Sequence, residues 1–373
     1  MQLVRLHLSH FRNYETAELT PGPFNLIVGP NAQGKTNLLE AIFFLGTARS
    51  HRTPSSEEAI QDRAEQARIY GAVERGSVRR EIELLLIRSG PGRPAGGKQV
   101  LLDGKAPPRL SALLGVLQVV LFAPESTAIV RGGPAERRRF LDLLASQVRA
   151  DYLSALQEYT TALRQRNELL KQIRAGSRSE TLEAWDLVIA RSGAALTRLR
   201  AELCAELAPI AAQLHARLTD GKEHLSLVYR PGGVEEEEAF RERLLALRSA
   251  DLERGVTSLG PHRDEVELRI NGSDTRRLAS QGQQRTATLA LKLAEIRWIH
   301  HRTGDLPLVL LDDVTSELDR MRIGILFELL QELPSQVFLT ATHLDEETLP
   351  RSASPNVFEV RAGIVKPATE PAF

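Results

Sequence analysis

The sequence predicts an α/β fold with a mixed or parallel sheet core to which both ends of the chain contribute. Three short apolar runs have the length of buried strands, namely Phe24–Val28, Leu308–Leu311 and Val337–Thr340. Helical spacing of apolar residues follows two of these runs, over Asn37–Leu45 and Ile323–Leu333. Alternation of strands and helices is typical of parallel sheets, because each parallel connection needs a long crossover.

The middle of the chain has a different character and predicts a helical insertion into this core. From Pro134 to Leu218 it is rich in Ala, Leu, Arg, Glu and Gln, with apolar residues at helical spacing. A break at Ala175–Ser179 leaves two long antiparallel helices, which form either a short coiled-coil-like arm or an ordinary helical subdomain. Pro209 is expected to kink or end the second helix. The predicted divisions are an amino-terminal half of the core at 1–125, the helical arm at 126–220 and a carboxy-terminal half at 221–373.

Composition limits the classes of function. The chain is 42% hydrophobic and 26% charged, and its 48 basic residues balance its 48 acidic ones. A nucleic-acid site must therefore come from local clustering of arginines rather than from bulk charge. The single cysteine, Cys204, excludes an internal disulfide and is typical of a reducing compartment. No apolar run reaches the length of a membrane span. We expect a soluble, cytoplasmic protein without a membrane partner.

A phosphate-binding loop follows the first apolar strand. Its eight residues fit the pattern G-x-x-x-x-G-K-[ST], and they are Gly29, Pro30, Asn31, Ala32, Gln33, Gly34, Lys35 and Thr36. Glycines let successive backbone amides converge on a phosphate, the lysine places a charge between phosphate oxygens, and the threonine hydroxyl ligates Mg²⁺. The helix that follows directs its positive end at the same anion. These residues predict an ATP site that uses Mg²⁺.

Two carboxylates end the second apolar strand. Asp312 and Asp313 come directly after Leu308–Leu311, at the edge where ligands bind in open α/β sheets. We expect Asp312 to hold Mg²⁺ through water, opposite Thr36, and Asp313 to orient and polarise the attacking water.

Three further segments extend the pattern. Ser280-Gln281-Gly282-Gln283-Gln284-Arg285 lies at the start of a predicted helix, where a hydroxyl and a glycine make a second anion site. Ser316-Glu317-Leu318-Asp319 follows the two aspartates, and Thr340-Ala341-Thr342-His343 ends the third apolar strand. Each segment is a weak signal alone, and their value lies in their order along the chain.

That order resembles the ABC-type ATPase heads, specifically their SMC-like branch. The resemblance implies that Ser280, Gln281, Gly282 and Gln283 form the signature segment, which acts on ATP bound by a second subunit. It also implies a D-loop with Ser316 and Asp319, and a catalytic His343 beside Asp313. Most members of this class carry Glu where this chain has Asp313, so the resemblance implies slow hydrolysis. Gln118 is a candidate for the glutamine-loop residue, although the neighbouring strand end reads Phe122-Ala123-Pro124.

Within that branch the sequence resembles the RecF family of recombination and repair proteins. The residues that carry this resemblance are Phe11–Tyr14, Leu121–Glu125, Arg137–Asp142, Gly260–Asp264, Ser280–Arg285 and Leu311–Val314. It implies a homodimer that forms on ATP binding, grips double-stranded DNA next to single-stranded gaps, and works with RecR and RecO to help load RecA. The arginines compatible with DNA contact, or equally with ion pairs to neighbouring Glu, are Arg137, Arg138, Arg139, Arg191, Arg198 and Arg200.

Three alternatives share part of this pattern. A transporter ATPase has the same motif order, but its signature lies much closer to the phosphate loop than Ser280 lies to Thr36. A long SMC-type bridging protein needs far more heptad sequence between its two halves than this insertion holds. A nucleotide-gated interaction module without turnover stays open because Asp313 replaces Glu.

Overall fold

The fold consists of two compact units. The computed structural model describes residues 1–89, 97–107, 112–176, 182–342 and 355–368, and for Ser316 and Glu317 it describes only the backbone. The first unit combines residues 1–127 with 295–373, and the second comprises 128–294. The α/β core is therefore built from both ends of the chain, as predicted. Among the described helices, none combines the length and the apolar character that a membrane crossing requires.

The elements alternate between strands and helices at both ends of the chain. The strands are β1 (Gln2–Phe11), β2 (Tyr14–Leu19), β3 (Phe24–Val28), β4 (Gln66–Arg75), β5 (Val78–Ile87), β6 (Gly97–Leu102), β7 (Val119–Phe122), β8 (Leu225–Arg230), β9 (Glu265–Ile270), β10 (Ser273–Asp274), β11 (Leu308–Leu311), β12 (Val337–Ala341), β13 (Asn356–Arg361) and β14 (Ile364–Pro367). The helices are α1 (Lys35–Thr47), α2 (Ala128–Arg131), α3 (Pro134–Ser146), α4 (Ala150–Arg174), α5 (Leu182–Leu218), α6 (Glu237–Arg254), α7 (Thr275–Leu278), α8 (Gln281–Thr303), α9 (Val314–Glu317) and α10 (Arg320–Glu332).

A mostly parallel sheet forms the centre of the first unit. Its strands lie in the order β14-β13-β3-β12-β11-β7. All neighbours from β13 to β7 pair in parallel, and only β14 joins antiparallel, as a hairpin on β13. All four residues of both β7 and β11 are buried, as expected for strands covered on both faces. The parallel register brings the carboxyl ends of β3, β12, β11 and β7 to one edge.

An antiparallel sheet packs with α1 in the same unit. Its strand order is β2-β1-β4-β5-β6, and all neighbouring strands in it pair antiparallel. Helix α1 is buried along almost its whole length, including Leu38, Leu39, Ile42 and Phe44. The phosphate loop thus leads into a helix that is fixed on all sides by apolar contact.

The second unit places the helices α3 to α6 against a three-stranded sheet. In that sheet β9 lies between β8 and β10, and β9 turns into β10 at Asn271-Gly272 with φ angles of 51° and 80°. Two successive positive φ angles are the geometry of the tight turn that this dipeptide favours. Residues 221–294 belong to this unit, whereas the sequence assigned them to the carboxy-terminal half of the core. The difference arises because β8 and α6 pack against α5.

Two helices of this unit bear on the sequence prediction. Helix α5 continues to Leu218, so Pro209 does not end it, and the flanking buried residues Leu207, Ala211 and Leu214 keep the same face in the core. Helix α6 was not predicted, and of its apolar residues only Phe240 and Leu244 are buried. Its sequence signals are acidic residues in the first turn and Gly255 after the last turn, with φ 69°.

A buried ion-pair cluster joins the three long helices of this unit. Arg166 on α4 donates to Asp186 on α5 and to Asp251 on α6, each at 2.7 Å, and to Thr257 at 2.9 Å. The Arg166 side chain has no exposed surface, and the two aspartates are almost as fully buried. Arg248 gives Asp186 a second cationic partner at 2.6 Å. Charges buried this deeply are stable only while they remain paired.

We predict that Arg166→Ala lowers the free energy of unfolding by about 3–5 kcal/mol, because it leaves Asp251 as a buried charge without its cation. Urea unfolding followed by circular dichroism measures this change. The matched control is Arg191→Ala, which removes an exposed pair with Glu158 on the same helices and should cost about 0–1 kcal/mol. Equal losses in the two variants would contradict a special role for the buried cluster.

Candidate active site

The phosphate loop connects β3 to α1 at the carboxyl edge of the parallel sheet. Gly29 and Gly34 adopt φ angles of 155° and 119°, in the region that favours glycine. A Cβ atom on Gly29 would lie 2.2 Å from the carbonyl oxygen of Val360, so this position has no room for a side chain. The Lys35 ammonium donates to the carbonyls of Gly29 and Pro30 at 2.6 and 2.9 Å, so it lies over the loop.

Side chains from the turn between β1 and β2 support the loop. Asn13 Nδ2 donates to the carbonyl of Gln33 at 2.8 Å, and the Tyr14 hydroxyl donates to the carbonyl of Gly34 at 2.8 Å. Burial raises the pKa of Tyr14, so the phenol remains a donor throughout the physiological range. Asn37, in the first turn of α1, donates to Asn13 Oδ1 at 2.8 Å. The sequence identified Asn13 and Tyr14 only as family markers, and the structure gives them a structural role.

The turn between β13 and β14 supports the same loop from the carboxy-terminal part of the chain. The backbone amides of Ala362 and Gly363 donate to Gln33, at 2.6 Å to its side-chain oxygen and at 3.2 Å to its carbonyl. Gln33 therefore links the loop to two turns that are distant in sequence. The loop's shape is held by these contacts as well as by its glycines.

Asp312 lies at the centre of the site. Its Oδ1 atom accepts hydrogen bonds from the Thr36 hydroxyl at 3.0 Å and from the Thr340 hydroxyl at 2.8 Å. Thr340 stands on β12, the strand between β3 and β11, and its oxygen also accepts the backbone amide of Asp313 at 2.9 Å. The sequence placed Thr36 opposite Asp312, and the structure brings them together. The sequence indicated Thr340 only as the first residue of the segment that ends in His343. Its hydrogen bond to Asp312 makes it part of the candidate site.

The electrostatics of the site follow from burial. Burial raises the pKa of Asp312, and the nearby charges of Glu125 and Asp313 act in the same direction, while the two threonine hydrogen bonds act against it. Burial lowers the pKa of Lys35, and the charges of Asp313 and Asp312 oppose that shift. Lys35 and both aspartates thus lie within one electrostatic neighbourhood. Asp313 has a left-handed backbone with φ 51°, which directs the chain out of β11 into α9.

These residues fit a magnesium ion bound together with a nucleotide. The Thr36 hydroxyl donates a hydrogen bond to Asp312, which leaves the lone pairs of the threonine oxygen available to a cation. Mg²⁺ is commonly bound by one or two carboxylates plus phosphate oxygens rather than by a cage of protein ligands. Among the described residues no group of three or more His, Cys, Asp or Glu side chains is arranged to hold a metal. A metal here would depend on Thr36, Asp312 and the phosphates of the nucleotide.

The segment Ser280–Gln283 begins helix α8 in the second unit. Gln283 N donates to Ser280 Oγ at 3.2 Å, and Ser280 N donates to Gln283 Oε1 at 2.9 Å. This reciprocal pair is a capping box, and it satisfies the first polar groups of the helix. A Cβ on Gly282 would meet only Ser280 Oγ within contact range, at 3.9 Å, so the backbone is open there. The helix begins at Gln281, within the segment where the sequence predicted a helix start.

The structure describes the other predicted site residues to different extents. Asp319 is the N-cap of α10, where its carboxylate accepts the Arg322 amide at 3.0 Å. Ser316 lies in α9, and its side chain is not among those described. His343 lies outside the described residues, so its role stays a prediction.

Gln118 is not at this site. Its carbonyl accepts the amide of Leu308 at 2.8 Å, which places it at the amino edge of the parallel sheet, away from Asp312. The carboxyl end of β7 is instead level with that of β11, because Phe122 pairs with Leu311. Glu125 comes shortly after the end of β7, and its charge helps to raise the pKa of Asp312.

Two of the six arginines named as possible DNA contacts are buried in ion pairs. Arg137 pairs with Glu265 at 2.8 Å, and Arg200 pairs with Asp264 at 2.7 Å and Asp142 at 2.8 Å. Asp264 also accepts the Tyr229 hydroxyl at 2.6 Å, so it is the centre of a buried network. The partly buried Arg138 donates to a backbone carbonyl at 2.7 Å. The exposed ones among the six are Arg139, Arg191 and Arg198.

Comparisons with known proteins identify the family to which the chain belongs. The chain matches the RecF/RecN/SMC N terminal domain over residues 2–364. A protein of Symbiobacterium thermophilum named DNA replication and repair protein RecF is 43% identical over 380 residues, covering 98% of each chain. A protein of the same name from Lachnoclostridium phytofermentans is 40% identical over 363 residues, covering 97% of this chain and 98% of that one.

Solved structures show the same likeness. A structure described as the recombination mediator protein RecF-ATP in the RecFOR pathway has a TM-score of 0.87 at 32% identity, and covers 98% of this chain and 97% of its own. An SMC head bound to the C-winged helix domain of ScpA has a TM-score of 0.54 at 16% identity and covers 100% of this chain and 98% of its own, which shows the fold alone.

The fold, the phosphate loop and the Asp-Asp strand end thus define the class, and the chain is an ABC-type ATPase of the SMC-like group. Within that group it belongs to the RecF family of DNA replication and repair proteins.

We predict that Asp312→Asn raises the free energy of unfolding of the nucleotide-free protein by about 0.5–1 kcal/mol near pH 7, because it removes a buried charge yet keeps an oxygen for both threonines. The pKa of Asp312 is raised in the fold, so its ionised form costs stability above that pKa. The gain in unfolding free energy should therefore disappear as the pH falls below 3.8, the ordinary pKa of an aspartate.

Thermal unfolding across a pH series tests this prediction. The matched control is Asp62→Asn, an exposed carboxylate outside the site, which should change stability by less than about 0.5 kcal/mol. An Asp312→Asn protein that is less stable than the wild type at every pH would contradict the assigned electrostatics.

Proposed function

We propose that this protein is an ATP-driven homodimeric clamp on double-stranded DNA that acts in recombinational repair and replication-gap repair. The observation that carries the proposal is the convergence of Lys35, Thr36 and Asp312 at the carboxyl edge of one parallel sheet. Its placement in the RecF family supports the cellular role. Weak ATP hydrolysis would then reset the clamp.

Binding of ATP relies on charge and backbone direction. The loop Gly29–Thr36 turns its amides toward the phosphates, and the positive end of α1 faces the same anion. Lys35 exchanges its contacts with the carbonyls of Gly29 and Pro30 for phosphate oxygens, which are stronger acceptors for an ammonium. Thr36 and Asp312 would hold Mg²⁺, which supplies positive charge to the phosphates when bound.

Hydrolysis requires a water molecule in line with the terminal phosphate. Asp313, the second residue after β11 and the N-cap of α9, is the proposed group that orients this water, with His343 as a second catalytic residue. An Asp carboxylate is one methylene shorter than the Glu that is usual in this class, so we expect the water to be held less closely. We therefore expect slow ATP hydrolysis, and we propose that bound DNA stimulates it.

The second wall of the ATP site would come from another copy of the chain. Ser280 Oγ accepts the amide of Gln283, so its hydroxyl proton can be donated to a phosphate. Gly282 leaves the backbone accessible beside it. We propose that Ser280, Gln281, Gly282 and Gln283 contact the ATP of the partner, and that Ser316 and Asp319 lie at the same interface. ATP would then hold the homodimer together.

The DNA and protein partners follow from the family rather than from the site. Structures described as RecF in the RecFOR pathway support RecR, with RecO, as partners. The resemblance to the RecF family implies RecA as an indirect partner. We propose double-stranded DNA next to single-strand junctions as the substrate of the clamp, and the cytoplasm as its location. Arg139 and Arg198 are exposed in the second unit and are available to phosphates.

We predict that Lys35→Met abolishes ATP binding, ATP-dependent dimerisation and ATP-dependent DNA binding together, because all three need the same lysine charge. Binding is measured on duplex, single-stranded and gapped DNA, with ATP, ADP or no nucleotide. Wild-type protein should bind the duplex-containing substrates at least about 10-fold more tightly with ATP. Binding of wild-type protein that ignores the nucleotide would refute the gated clamp.

We predict that Asp313→Asn keeps ATP binding but slows steady-state phosphate release by about 100-fold or more, since it removes the group that polarises the water. Dimer should accumulate on DNA in the presence of ATP. Normal turnover by this variant would refute the role of Asp313. A wild-type protein without measurable turnover, with and without DNA, would instead favour a nucleotide-gated module that does not hydrolyse ATP.

A further inference from the structure

The capping box at the start of α8 has a third member. Gln283 uses its side-chain oxygen to accept the amide of Ser280, at 2.9 Å. Its side-chain nitrogen donates to Glu223 Oε1 at 2.8 Å. Glu223 lies between α5 and β8, about 60 residues before Gln283 in the chain. No sequence motif pointed to Glu223.

The carboxylate of Glu223 fixes which way the Gln283 amide faces. An ionised carboxylate only accepts hydrogen bonds, so the NH₂ group of Gln283 must face Glu223. The amide oxygen is then left facing Ser280 N, where the capping box needs it. With the opposite amide orientation, two donors would meet at Ser280 and two acceptors at Glu223. Glu223 therefore favours the one orientation in which Ser280 is held at the helix start.

Glu223 is itself held by contacts on both sides. The next residue, His224, exchanges hydrogen bonds with Asn271 at 2.8 and 2.9 Å, which fixes it to the turn after β9. The preceding turn is closed by the amide of Gly221 on the carbonyl of Ala216, at 2.8 Å. The second carboxylate oxygen of Glu223 lies 3.7 Å from Nε2 of His215, near the end of α5. The segment around Glu223 is thus anchored to the long helix α5 and to the β8–β9–β10 sheet.

We propose that Glu223 is a positioning residue for the signature segment: through Gln283 it sets the Ser280 hydroxyl in the direction that a partner-bound phosphate requires. This inference rests on the proposed ATP-driven dimer. In this role Glu223 connects the end of α5 to Ser280, whose hydroxyl would complete the ATP site of the partner subunit. Glu223 contacts neither the nucleotide of its own subunit nor the loop Gly29–Thr36 in this role, so ATP binding by a single subunit should not depend on it.

The experiment measures ATP-dependent dimerisation by sedimentation velocity and ATP affinity by equilibrium binding. Glu223→Ala should weaken ATP-driven dimerisation about 10-fold, the usual effect of losing a hydrogen bond to a charged group. Its ATP affinity as a monomer should stay within about twofold of wild type. Glu223→Gln can still accept from Gln283 if its own amide turns its oxygen inward, so it should recover most of the dimerisation. The matched control is Glu267→Ala, which removes a surface carboxylate on β9 that pairs with Arg230 and Arg269.

The two variants at Glu223 separate positioning from general folding, because neither changes a residue proposed to contact ATP. If the wild type dimerises with ATP but Glu223→Ala dimerises equally well, or Glu223→Gln dimerises no better than Glu223→Ala, the role of Glu223 is refuted. If the wild type itself does not dimerise with ATP, the proposed function fails instead.

Discussion

The site depends on a pair of hydrogen bonds that meet at one carboxylate oxygen. Thr36 and Thr340 both donate to Asp312 Oδ1, and they come from the phosphate loop and from the strand that separates that loop from β11. This arrangement requires β3, β12 and β11 to be parallel neighbours in register, since otherwise the three residues would not reach one another. The sheet topology is therefore part of the chemistry, and the supporting turns at Asn13 and Ala362 keep the loop within that reach.

The buried carboxylate illustrates a conflict between stability and function. Asp312 is nearly fully buried, and its ionised form is disfavoured by burial and by the charges of Glu125 and Asp313. A neutral side chain would pack there at lower cost. A carboxylate is nevertheless required if the site is to hold a cation beside phosphates. Strain of this kind is common at active sites, where the surrounding fold compensates for it.

The sequence predicted those parts of the site whose functional residues are consecutive in the chain. The phosphate loop and the Asp312-Asp313 strand end were predicted correctly in position, because each fixed residue type has a distinct physical task. Thr340 and the Asn13-Tyr14 support were not recognised as site residues. Thr340 reaches the site through strand pairing, and Asn13 and Tyr14 reach it through side-chain hydrogen bonds from a different sheet. Gln118, a candidate for the glutamine-loop residue, precedes β7 and therefore lies at the amino edge of the sheet, away from Asp312. The buried pairs of Arg137 and Arg200 likewise depend on carboxylates far along the chain.

The division of the chain has a consequence for its synthesis. The second unit is one continuous segment, 128–294, whereas the parallel sheet takes β3 and β7 from before it and β11, β12 and β13 from after it. On the ribosome, the inserted unit can thus reach its native contacts while the sheet still lacks its central strands. The apolar strands β3 and β7 must wait for the last part of the chain to emerge. This delay makes the early strands the part of the nascent protein with the greatest need of protection from aggregation.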